Sequence, residues 1–469
     1  MNIFIRVFVL KPEESICAFP PYPQIILHSY LLDFGPKTNW LCQIMPLTDF
    51  PKVVEIKDPL HGYVALSEVE KAVTDLRLTQ RLRTIRSPAG VYMVFSGADT
   101  SLMGKLLGFM HTTHIFMDYL GASKEEIQNA RLAAMFLTLS TGPWENVINE
   151  FLTVRGLNRR QLAELIIKES PAGETLEDFG YSPDEVANTI NRGVPLKGVH
   201  FDLETSPINP ELVDRLERDS YFSGVEYAQL EFRRLFQSTR VAKNKIAIER
   251  GALFTFESYL SAGANMFDAV YYHKSVRAAE LMLLRILDEA GAELAPSPRD
   301  DLNAFLGLDD ISFMDQLLNP PEDASEEMQT ACKLFEDYSA RYLIKMASER
   351  AISDVAFLDS ISTPDGLFNI EKEIADNAGI DPSNVFVDYP DRQSVSFYPG
   401  KFDIEDLVFF ERGSKGYEFW PVEDISLLAR SFERKIKLVR VYTTRGYRSK
   451  VKKAADALLE SIDAPGSTE

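Results

Sequence analysis

The chain has 469 residues, of which 45% are hydrophobic and 11% aromatic, which accommodates two or three domains with full cores and excludes a mostly disordered protein. Its formal net charge of −20 disfavours indiscriminate binding to nucleic acid or anionic membranes, although a local basic site is compatible with it. The three cysteines, Cys17, Cys42 and Cys332, have neither metal nor disulfide spacing, and no apolar run reaches the about 18 residues of a membrane helix. We expect a cytoplasmic protein with no membrane partner.

The N-terminal segment, residues 1–44, is unusually apolar and aromatic. A signal peptide is one interpretation, but Arg6 interrupts the apolar stretch, and Glu13 and Glu14 follow it. The alternative is a start site placed upstream of the true one, because Met45 precedes the first segment with a strand pattern. We treat residues 1–44 as an N-terminal extension.

The predicted elements begin with two short strands within residues 52–66, separated by a turn that contains Pro and Gly. Ser67 then has the properties of a helix N-cap, with Glu70 three residues later as its capping-box partner. Apolar residues near helical spacing follow within 102–116 and within 127–136. The sequence therefore predicts that a hairpin leads into a series of helices.

The middle of the chain predicts more helices, short ones within 158–195 and strongly helical sequence with few breakers within 209–290. The C-terminal part predicts four strands, at Val385–Val387, Val395–Tyr398, Leu407–Phe410 and Leu438–Tyr442. A terminal helix is predicted over 450–462. We expect a mostly α fold with an N-terminal extension (1–44), a helical core (45–295), a helical extension (296–352) and a C-terminal α+β domain (353–469).

The stretch from Ala133 to Trp144 is the most informative part of the sequence. Its apolar helix face ends at Gly142, which is followed by Pro. This frame resembles A-A-L-L-H-D-I-G-H-G-P-F of the HD-domain phosphohydrolases, but Leu137 and Thr138 stand at the positions of the His-Asp pair. Neither a leucine nor a neutral threonine hydroxyl replaces an imidazole and a carboxylate on a catalytic divalent metal. The segment therefore favours the fold of that family and argues against its chemistry.

Further blocks resemble the same family in the same order. They are Asp58–Gly62 (D-P-I-H-G in the family), Gln80–Arg83 (Q-R-L-R), Val94–Ala98 (V-F-P-G-A), Arg218–Tyr221 and Val270–Lys274. The chain resembles the deoxynucleoside triphosphate triphosphohydrolases that carry a sterile-alpha-motif and an HD domain, and their prokaryotic relatives. This resemblance implies an HD-domain helical core with a small C-terminal α+β domain that takes part in oligomer contacts.

The resemblance also implies where the active-site positions lie. The four metal-ligand positions and the two catalytic histidine positions correspond to Lys105, Leu137, Thr138, Glu211, Thr141 and Asn146. Glu211 is the only one of the metal positions that keeps an oxygen ligand, and an ion pair between Lys105 and this carboxylate could replace the metal charge. Without a metal no bound water is acidified, and no general base for neutral pH remains. We expect no metal cofactor; the alternative is a single Mn, Mg or Fe ion.

Some ligand-handling positions of the family are retained. The residues at its regulatory guanine-nucleotide site correspond to Asp75, Gln80 and Arg83, which could instead only cap and brace the fold. The residues near its substrate pocket correspond to Asp219, Tyr271, His273 and Lys274. A phosphate-binding arginine and a tyrosine of the family are replaced by Gly263 and Arg215, which puts dNTP binding in that pocket in doubt.

Two other patterns have a functional and a structural interpretation. His111, His114 and Asp118 have the spacing of one helix face, which suits a relocated metal site or buried core residues. The basic stretch within 434–453 could bind phosphate, nucleotide or nucleic acid, or form a solvated face that pairs with acidic neighbours or another subunit. Its basic residues are Arg434, Lys435, Lys437, Arg440, Arg445, Arg448, Lys450, Lys452 and Lys453, with Tyr442 and Tyr447 between them.

These patterns support three hypotheses. The first is a catalytically inactive HD-domain homologue that acts as a nucleotide-responsive regulator or scaffold, as a homo-oligomer or with an active relative. The second is an active hydrolase of dNTPs or other phosphate esters with a shifted metal site. The third is a nucleic-acid-binding module that uses residues 434–453. Under the first hypothesis, the expected ligand is a guanine nucleotide or a dNTP.

Overall fold

The computed structural model describes residues 51–395, 397, 407–414, 416–432 and 437–462. Within these residues the chain is mostly α-helical, as the sequence predicted, with 20 α-helices and 11 β-strands. None of the described helices is both long and apolar enough to cross a membrane. The expectations for residues 1–44 lie outside the described residues.

The helices and strands of the described residues have the following bounds. The first ten α-helices are α1 Glu68–Asp75, α2 Arg77–Gln80, α3 Leu102–Tyr119, α4 Lys124–Leu139, α5 Asn146–Val154, α6 Arg159–Glu169, α7 Pro171–Asp178, α8 Pro183–Arg192, α9 Pro210–Ser223 and α10 Phe232–Gln237. The other ten are α11 Leu253–Met266, α12 Lys274–Leu294, α13 Leu302–Leu306, α14 Asp310–Leu318, α15 Glu326–Ser339, α16 Val355–Ile361, α17 Pro364–Ala378, α18 Val422–Ile425, α19 Leu427–Phe432 and α20 Arg448–Ile462. The strands are β1 Val54–Asp58, β2 Gly62–Leu66, β3 Val194–Leu196, β4 Val199–Phe201, β5 Thr239–Ala242, β6 Lys245–Glu249, β7 Lys345–Ala351, β8 Val385–Asp388, β9 Leu407–Gly413, β10 Gly416–Pro421 and β11 Leu438–Thr443.

The first hairpin and the cap of α1 are as the sequence predicted. β1 pairs antiparallel with β2, and Ser67 and Glu70 form a capping box in which each side chain accepts a hydrogen bond from the other's backbone N–H. Glu70 also binds the buried Arg131 of α4, with 2.7 Å between Arg131 Nε and Glu70 Oε1. One carboxylate therefore both starts α1 and fixes it to α4.

Helix α3 is the centre of the helical core and packs against α4 and α9. Nearly all of its side chains are buried, which explains why its apolar residues extend around the helix rather than along one stripe. Gly108 permits the close approach of α9, because a Cβ at this position would lie 1.9 Å from Asp214 Oδ1. The glycine of this motif therefore serves packing between the two helices.

The four-stranded sheet has the order β10-β9-β6-β5, with β6 parallel to β9. The strongly helical prediction for 209–290 was wrong at β5 and β6, which are short strands. Their two-residue turn consists of Lys243 and Asn244, which both have positive φ, 51° and 57°, as a type I′ hairpin turn requires. Because β9 pairs with β6 of the expected core and β10 pairs with β9, this sheet combines strands from both sides of the boundary expected at 353.

The C-terminal strands form a second sheet of order β7-β11-β8, covered by α17 and α20. The predicted strands at Val385–Val387, Leu407–Phe410 and Leu438–Tyr442 are confirmed as β8, β9 and β11, and the terminal helix as α20. The strand predicted at Val395–Tyr398 is not formed at Val395 or Phe397, and its other residues lie outside the described ones. Apolar residues of α17, β8, β11 and α20 share one buried cluster.

Candidate functional site

The positions that correspond to metal ligands and catalytic histidines are brought together by five segments: α3, α4, the turn after α4, α5 and α9. Most of them line one cavity of about 20 Å³, namely Lys105, Thr138, Thr141, Asn146 and Glu211. Leu137 is buried, with 1% of its surface exposed. A cavity of this size holds about one water molecule, so no nucleotide fits into it.

The carboxylate of Glu211 is held by two guanidinium groups. Arg159 Nη1 lies 3.0 Å and Arg215 Nη2 lies 2.7 Å from Glu211 Oε1. Burial opposes ionisation, but the charges of Arg159 and Arg215 outweigh it and lower the pKa of Glu211 to about 2. Glu211, the only one of the four corresponding metal positions that keeps a carboxylate, is therefore ionised and paired with two arginines.

Arg159, at the start of α6, is a functional-site residue that no motif indicated. Its Nε donates to the backbone oxygen of Leu137 at 2.8 Å, and its Nη1 also reaches Glu204 Oε1 at 2.7 Å. The guanidinium of Arg159 thus lies between the carboxylate of Glu211 and the backbone of Leu137, the position that corresponds to a metal-binding histidine. Its place follows from the packing of α6 on α4, which sequence periodicity alone does not reveal.

Lys105 does not pair with Glu211, so the expected ion pair was wrong. Its Nζ lies 3.0 Å from Glu145 Oε1 and 3.9 Å from Asp219 Oδ1. The physical reason is that Arg159 and Arg215 already neutralise Glu211, while the two other carboxylates are buried beside the lysine. The site therefore contains two separate groups of charged side chains. One is Glu211 with its arginines, and the other is Lys105 with its carboxylates.

A strained turn directs Glu145 towards Lys105. Trp144 and Glu145 both have positive φ, 61° and 46°, which is costly for residues with side chains. The backbone N–H of Trp144 donates to Asp310 Oδ1 at 2.9 Å, and its ring packs edge-on against Phe313 at 5.0 Å. These tertiary contacts therefore stabilise the turn that places the carboxylate of Glu145 beside Lys105.

The four residues that correspond to the substrate pocket do not lie together. Tyr271 donates its hydroxyl hydrogen to Asp219 Oδ2 at 2.9 Å, next to Lys105, and burial raises the pKa of Asp219 although the lysine opposes this. His273 instead caps α12, where its Nδ1 accepts from the N–H of Ser275. Lys274 lies in the wall of a different cavity. The structure therefore does not place these four residues in one pocket.

That second cavity, the basic cavity, has a volume of about 240 Å³. Its wall contains Lys274, Arg341, Lys345 and Arg448 and no carboxylate. Arg341 Nε donates to the backbone oxygen of Met93 at 2.9 Å, and Arg448 Nε donates to that of Met346 at 3.0 Å. Each of these bonds fixes a guanidinium by one N–H group. The cavity also lies at the N-terminus of the 21-residue α12, which adds partial positive charge.

The residues that correspond to a guanine-nucleotide site lie at the surface around α1 and α2. Gln80 accepts from Arg83 Nε at 2.8 Å and donates to the backbone oxygen of Thr74 at 2.7 Å, so both ends of its amide are engaged. Asp75 pairs with Lys71 at 2.6 Å. Nucleotide binding by Asp75, Gln80 and Arg83 stays a prediction.

The D-P-L-H-G block forms a buried clamp on α9. Arg218 binds Asp58 Oδ2 at 3.0 Å and Asp214 Oδ1 at 2.8 Å. His61 Nε2 lies 2.6 Å from Asp214 Oδ1, a partner that the sequence did not indicate. The side chains of this block therefore fix the first hairpin to the core.

The histidines of α3 are buried. Burial lowers the pKa of His111 to about 2 and that of His114 to about 3, so both imidazoles are neutral. No three His, Cys, Asp or Glu side chains are grouped to hold a metal ion in the part of the chain that the structure describes. The core interpretation fits their surroundings.

The basic stretch within 434–453 does not present one face. Arg440 is buried and pairs with Glu349 at 2.5 Å, and Tyr442 is buried in the same strand. Arg448 belongs to the basic cavity, and Lys452 pairs with Asp456 at 2.6 Å. Arg434 and Lys435 lie outside the described residues. Nucleic-acid binding here stays a prediction.

Comparison with known proteins identifies the family. A family model described as HD associated region matches residues 230–467. The chain is 28% identical over 244 residues to uncharacterized protein YwfO of Bacillus subtilis and 26% identical over 263 residues to uncharacterized protein MJ1154 of Methanocaldococcus jannaschii. These matches cover 50% and 55% of the chain and 55% and 54% of the relatives, so the chain spans about half the length of the curated relatives it matches.

Two further proteins bear on function and fold. Deoxynucleoside triphosphate triphosphohydrolase SAMHD1 of Gallus gallus is 20% identical over 348 residues, which cover 63% of this chain and 56% of that protein. A crystal structure of a hypothetical protein from Aquifex aeolicus superposes with a TM-score of 0.67 at 24% identity, over 86% of this chain and 99% of the other. The chain is an HD-domain phosphohydrolase-like protein and belongs to the family of the HD-associated region.

Proposed function

We propose that this chain is a catalytically inactive HD-domain phosphohydrolase-like protein that binds a guanine nucleotide or a dNTP and acts as a regulator or scaffold. It would consist of an HD-type core (45–295), a helical extension (296–352) and a C-terminal α+β domain (353–469). One observation carries the proposal: Lys105 and Glu211, at two of the four positions that correspond to metal ligands, are held in ion pairs, whereas the basic cavity is open and has no carboxylate in its wall.

The case for inactivity rests on charge. A divalent metal at Glu211 would have to displace Arg159 and Arg215 and would approach within the repulsive field of both guanidinium groups. Thr141 and Asn146 have no side-chain group that accepts a proton at neutral pH. Two of the positions that correspond to metal ligands, Lys105 and Glu211, are thus charged partners in ion pairs with other side chains.

The case for a phosphate-bearing ligand rests on the basic cavity. Arginine presents a planar fork of donors to phosphate oxygens, and lysine adds a mobile point charge. A volume of about 240 Å³ suits a di- or triphosphate group rather than a whole nucleotide, whose base would extend out of the cavity. SAMHD1 is by its name a deoxynucleoside triphosphate triphosphohydrolase, which makes nucleoside triphosphates the class to test first.

The test of inactivity is metal content combined with a triphosphohydrolase assay over all four dNTPs with Mn²⁺, Mg²⁺ and Fe²⁺. We expect less than one metal per chain and no turnover above buffer. Stoichiometric metal together with turnover would overturn the proposal in favour of a shifted metal site near Glu211.

The test of ligand binding is calorimetric titration with GTP, dGTP and inorganic tripolyphosphate, with light scattering to follow nucleotide-dependent oligomerisation. Lys345→Gln and Arg448→Gln should each weaken binding about tenfold, because each removes a charge-assisted contact. Lys124→Gln, at an exposed position on α4, is the matched control. Equal binding by all three variants would exclude the basic cavity. Co-purification with an active HD-domain relative would identify the partner of a scaffold.

A further inference from the structure

The basic cavity has room for the phosphate groups of a nucleotide but not for its base. Its volume is about 240 Å³, which is below the usual range of sites that enclose a whole small molecule. Asp75, Gln80 and Arg83, which correspond to the regulatory guanine-nucleotide site of the resembled family, are not part of its wall. The base of a nucleotide bound here therefore needs another surface, at the mouth of the cavity.

Two aromatic side chains adjoin the wall of the basic cavity. Tyr342 lies in the chain between the wall residues Arg341 and Leu343, and 54% of its surface is exposed. Tyr447 directly precedes the wall residue Arg448 and is 36% exposed. Because each tyrosine is exposed and directly bonded to a wall residue, both lie where the wall meets the solvent.

Tyr342 is already part of a stacked pair. The guanidinium carbon of Arg445 lies over its ring, 4.6 Å from the ring centroid. The sheet explains this contact, because Thr443 at the end of β11 pairs with Lys345 at the start of β7 and so brings Arg445 next to the residues that precede β7. The cation covers one side of the ring, while more than half of the Tyr342 surface stays accessible.

An arginine stacked on a tyrosine suits a nucleic-acid base. Bases stack on aromatic rings and on guanidinium planes, and this contact does not depend on the hydrogen-bonding edge of the base. Stacking therefore accepts every base, and it favours the larger purine ring system because more apolar area is buried. The positive charge of Arg445 adds to that of the cavity wall, which contains no carboxylate, and so favours a ligand that also carries phosphate.

We propose that Tyr342 and Arg445 form a stacking platform for the base of the nucleotide whose phosphate groups occupy the basic cavity. This inference rests on the proposed function, because it takes the cavity as the phosphate site. The base stacks on the Tyr342–Arg445 pair at the mouth, and the phosphate groups contact Lys345 and Arg448 inside. The site consequently binds purine nucleotides more tightly than pyrimidine nucleotides.

The experiment titrates the full chain with GTP, CTP and inorganic tripolyphosphate by calorimetry. Tripolyphosphate reports the phosphate contacts alone, whereas the nucleotides report the phosphate contacts and the base together. Tyr342→Ala should weaken GTP about tenfold and tripolyphosphate by less than about twofold, because only the base loses a contact. Wild type should bind GTP about threefold more tightly than CTP. Saturation-transfer NMR should mark H8 of guanine more strongly than the ribose protons.

Two further variants separate stacking from other effects of the substitution. Tyr342→Phe keeps the ring and should bind GTP with wild-type affinity. Tyr63→Ala is the matched control, because Tyr63 is also exposed, at 63%, and also has a cation over its ring, Lys57 Nζ at 4.5 Å from the centroid. Tyr63 is not part of the cavity wall, so its substitution should change the affinity of neither GTP nor tripolyphosphate.

The outcomes distinguish failure of the platform from failure of the cavity. Wild-type GTP affinity in Tyr342→Ala, or equal weakening of GTP and tripolyphosphate, would overturn the platform and leave the cavity as a phosphate site. Loss of GTP affinity in Tyr342→Phe would also overturn it, because the hydroxyl group rather than the ring would then make the contact. If wild type binds neither GTP nor tripolyphosphate, the proposed function of the cavity and the platform are both wrong.

Discussion

The ion-pair site and the basic cavity both concentrate cations, yet their environments are opposite. Around Glu211, the guanidinium groups of Arg159 and Arg215 are neutralised by the half-buried carboxylates of Glu204 and Glu211, and little space remains. In the basic cavity, Lys345 and Arg448 share a wall without any carboxylate and face an open volume. The number of cations alone therefore does not identify a ligand site. What matters is whether the protein supplies their counter-charges.

The largest expected effect is that of Arg159→Met. This substitution leaves Glu204 and Glu211 without their shared cation in a largely buried place, so the free energy of unfolding should fall by about 3 kcal/mol. Urea unfolding measures it. Arg77→Met, at an exposed position on α2, is the control and should change stability by about 0.5 kcal/mol or less. Similar small losses in both variants would show that the network is not structural.

A smaller effect is expected for Lys105→Met. It removes the partner of the buried Glu145 and should lower the free energy of unfolding by about 2 kcal/mol. Adding Glu145→Gln should recover part of this loss, because the second substitution removes the unpaired charge. A double-mutant cycle measures the coupling. A coupling near zero would contradict the pairing of these two residues.

The acid stability of the protein tests Glu211. Its pKa is lowered in the folded state from 4.5 to about 2, so its contribution is fully present above the unfolded pKa and is lost as the pH falls through the folded pKa. Wild type should therefore lose stability between about pH 5 and pH 2 more steeply than Glu211→Gln. Identical slopes of unfolding free energy against pH would sink this assignment.

The smallest effect is expected in the basic cavity. Lys345→Gln should change the free energy of unfolding by at most about 0.5 kcal/mol, because the lysine is exposed and has no carboxylate in the same wall. It should raise stability slightly if like-charge repulsion with Arg448 dominates. Urea unfolding at low and high salt checks this, and a loss above about 2 kcal/mol would mean that the cavity is structural.

Much of the fold could be predicted from local patterns, and the site only in part. The capping box of Ser67 and Glu70 is local, as is the β-branched and aromatic composition that predicts β11, so sequence alone was sufficient. The hairpin of β5 and β6 was missed because its strands are short and its turn signal rests on Asn244. β5 and β6 are strands because they pair within the four-stranded sheet, and this pairing is not visible in the local sequence.

The contents of the site depended on tertiary contacts. Lys105 and Glu211, which the motif frame aligned with metal ligands, line one cavity, but the motif could not indicate their partners. Arg159 belongs to none of the motifs. It pairs with Glu211, which lies 52 positions later in the chain. Glu145 reaches Lys105 only because tertiary contacts stabilise an unfavourable backbone conformation.

Arg159 also has a consequence for protein design. Its Nη1 lies 3.0 Å from Glu211 Oε1 and its Nε donates to the backbone oxygen of Leu137, so a metal placed beside Glu211 would meet a guanidinium. Building His and Asp side chains at Lys105, Leu137 and Thr138 would leave this cation in place. A designer who wants a metal centre here would therefore have to replace Arg159 before the new ligands could act.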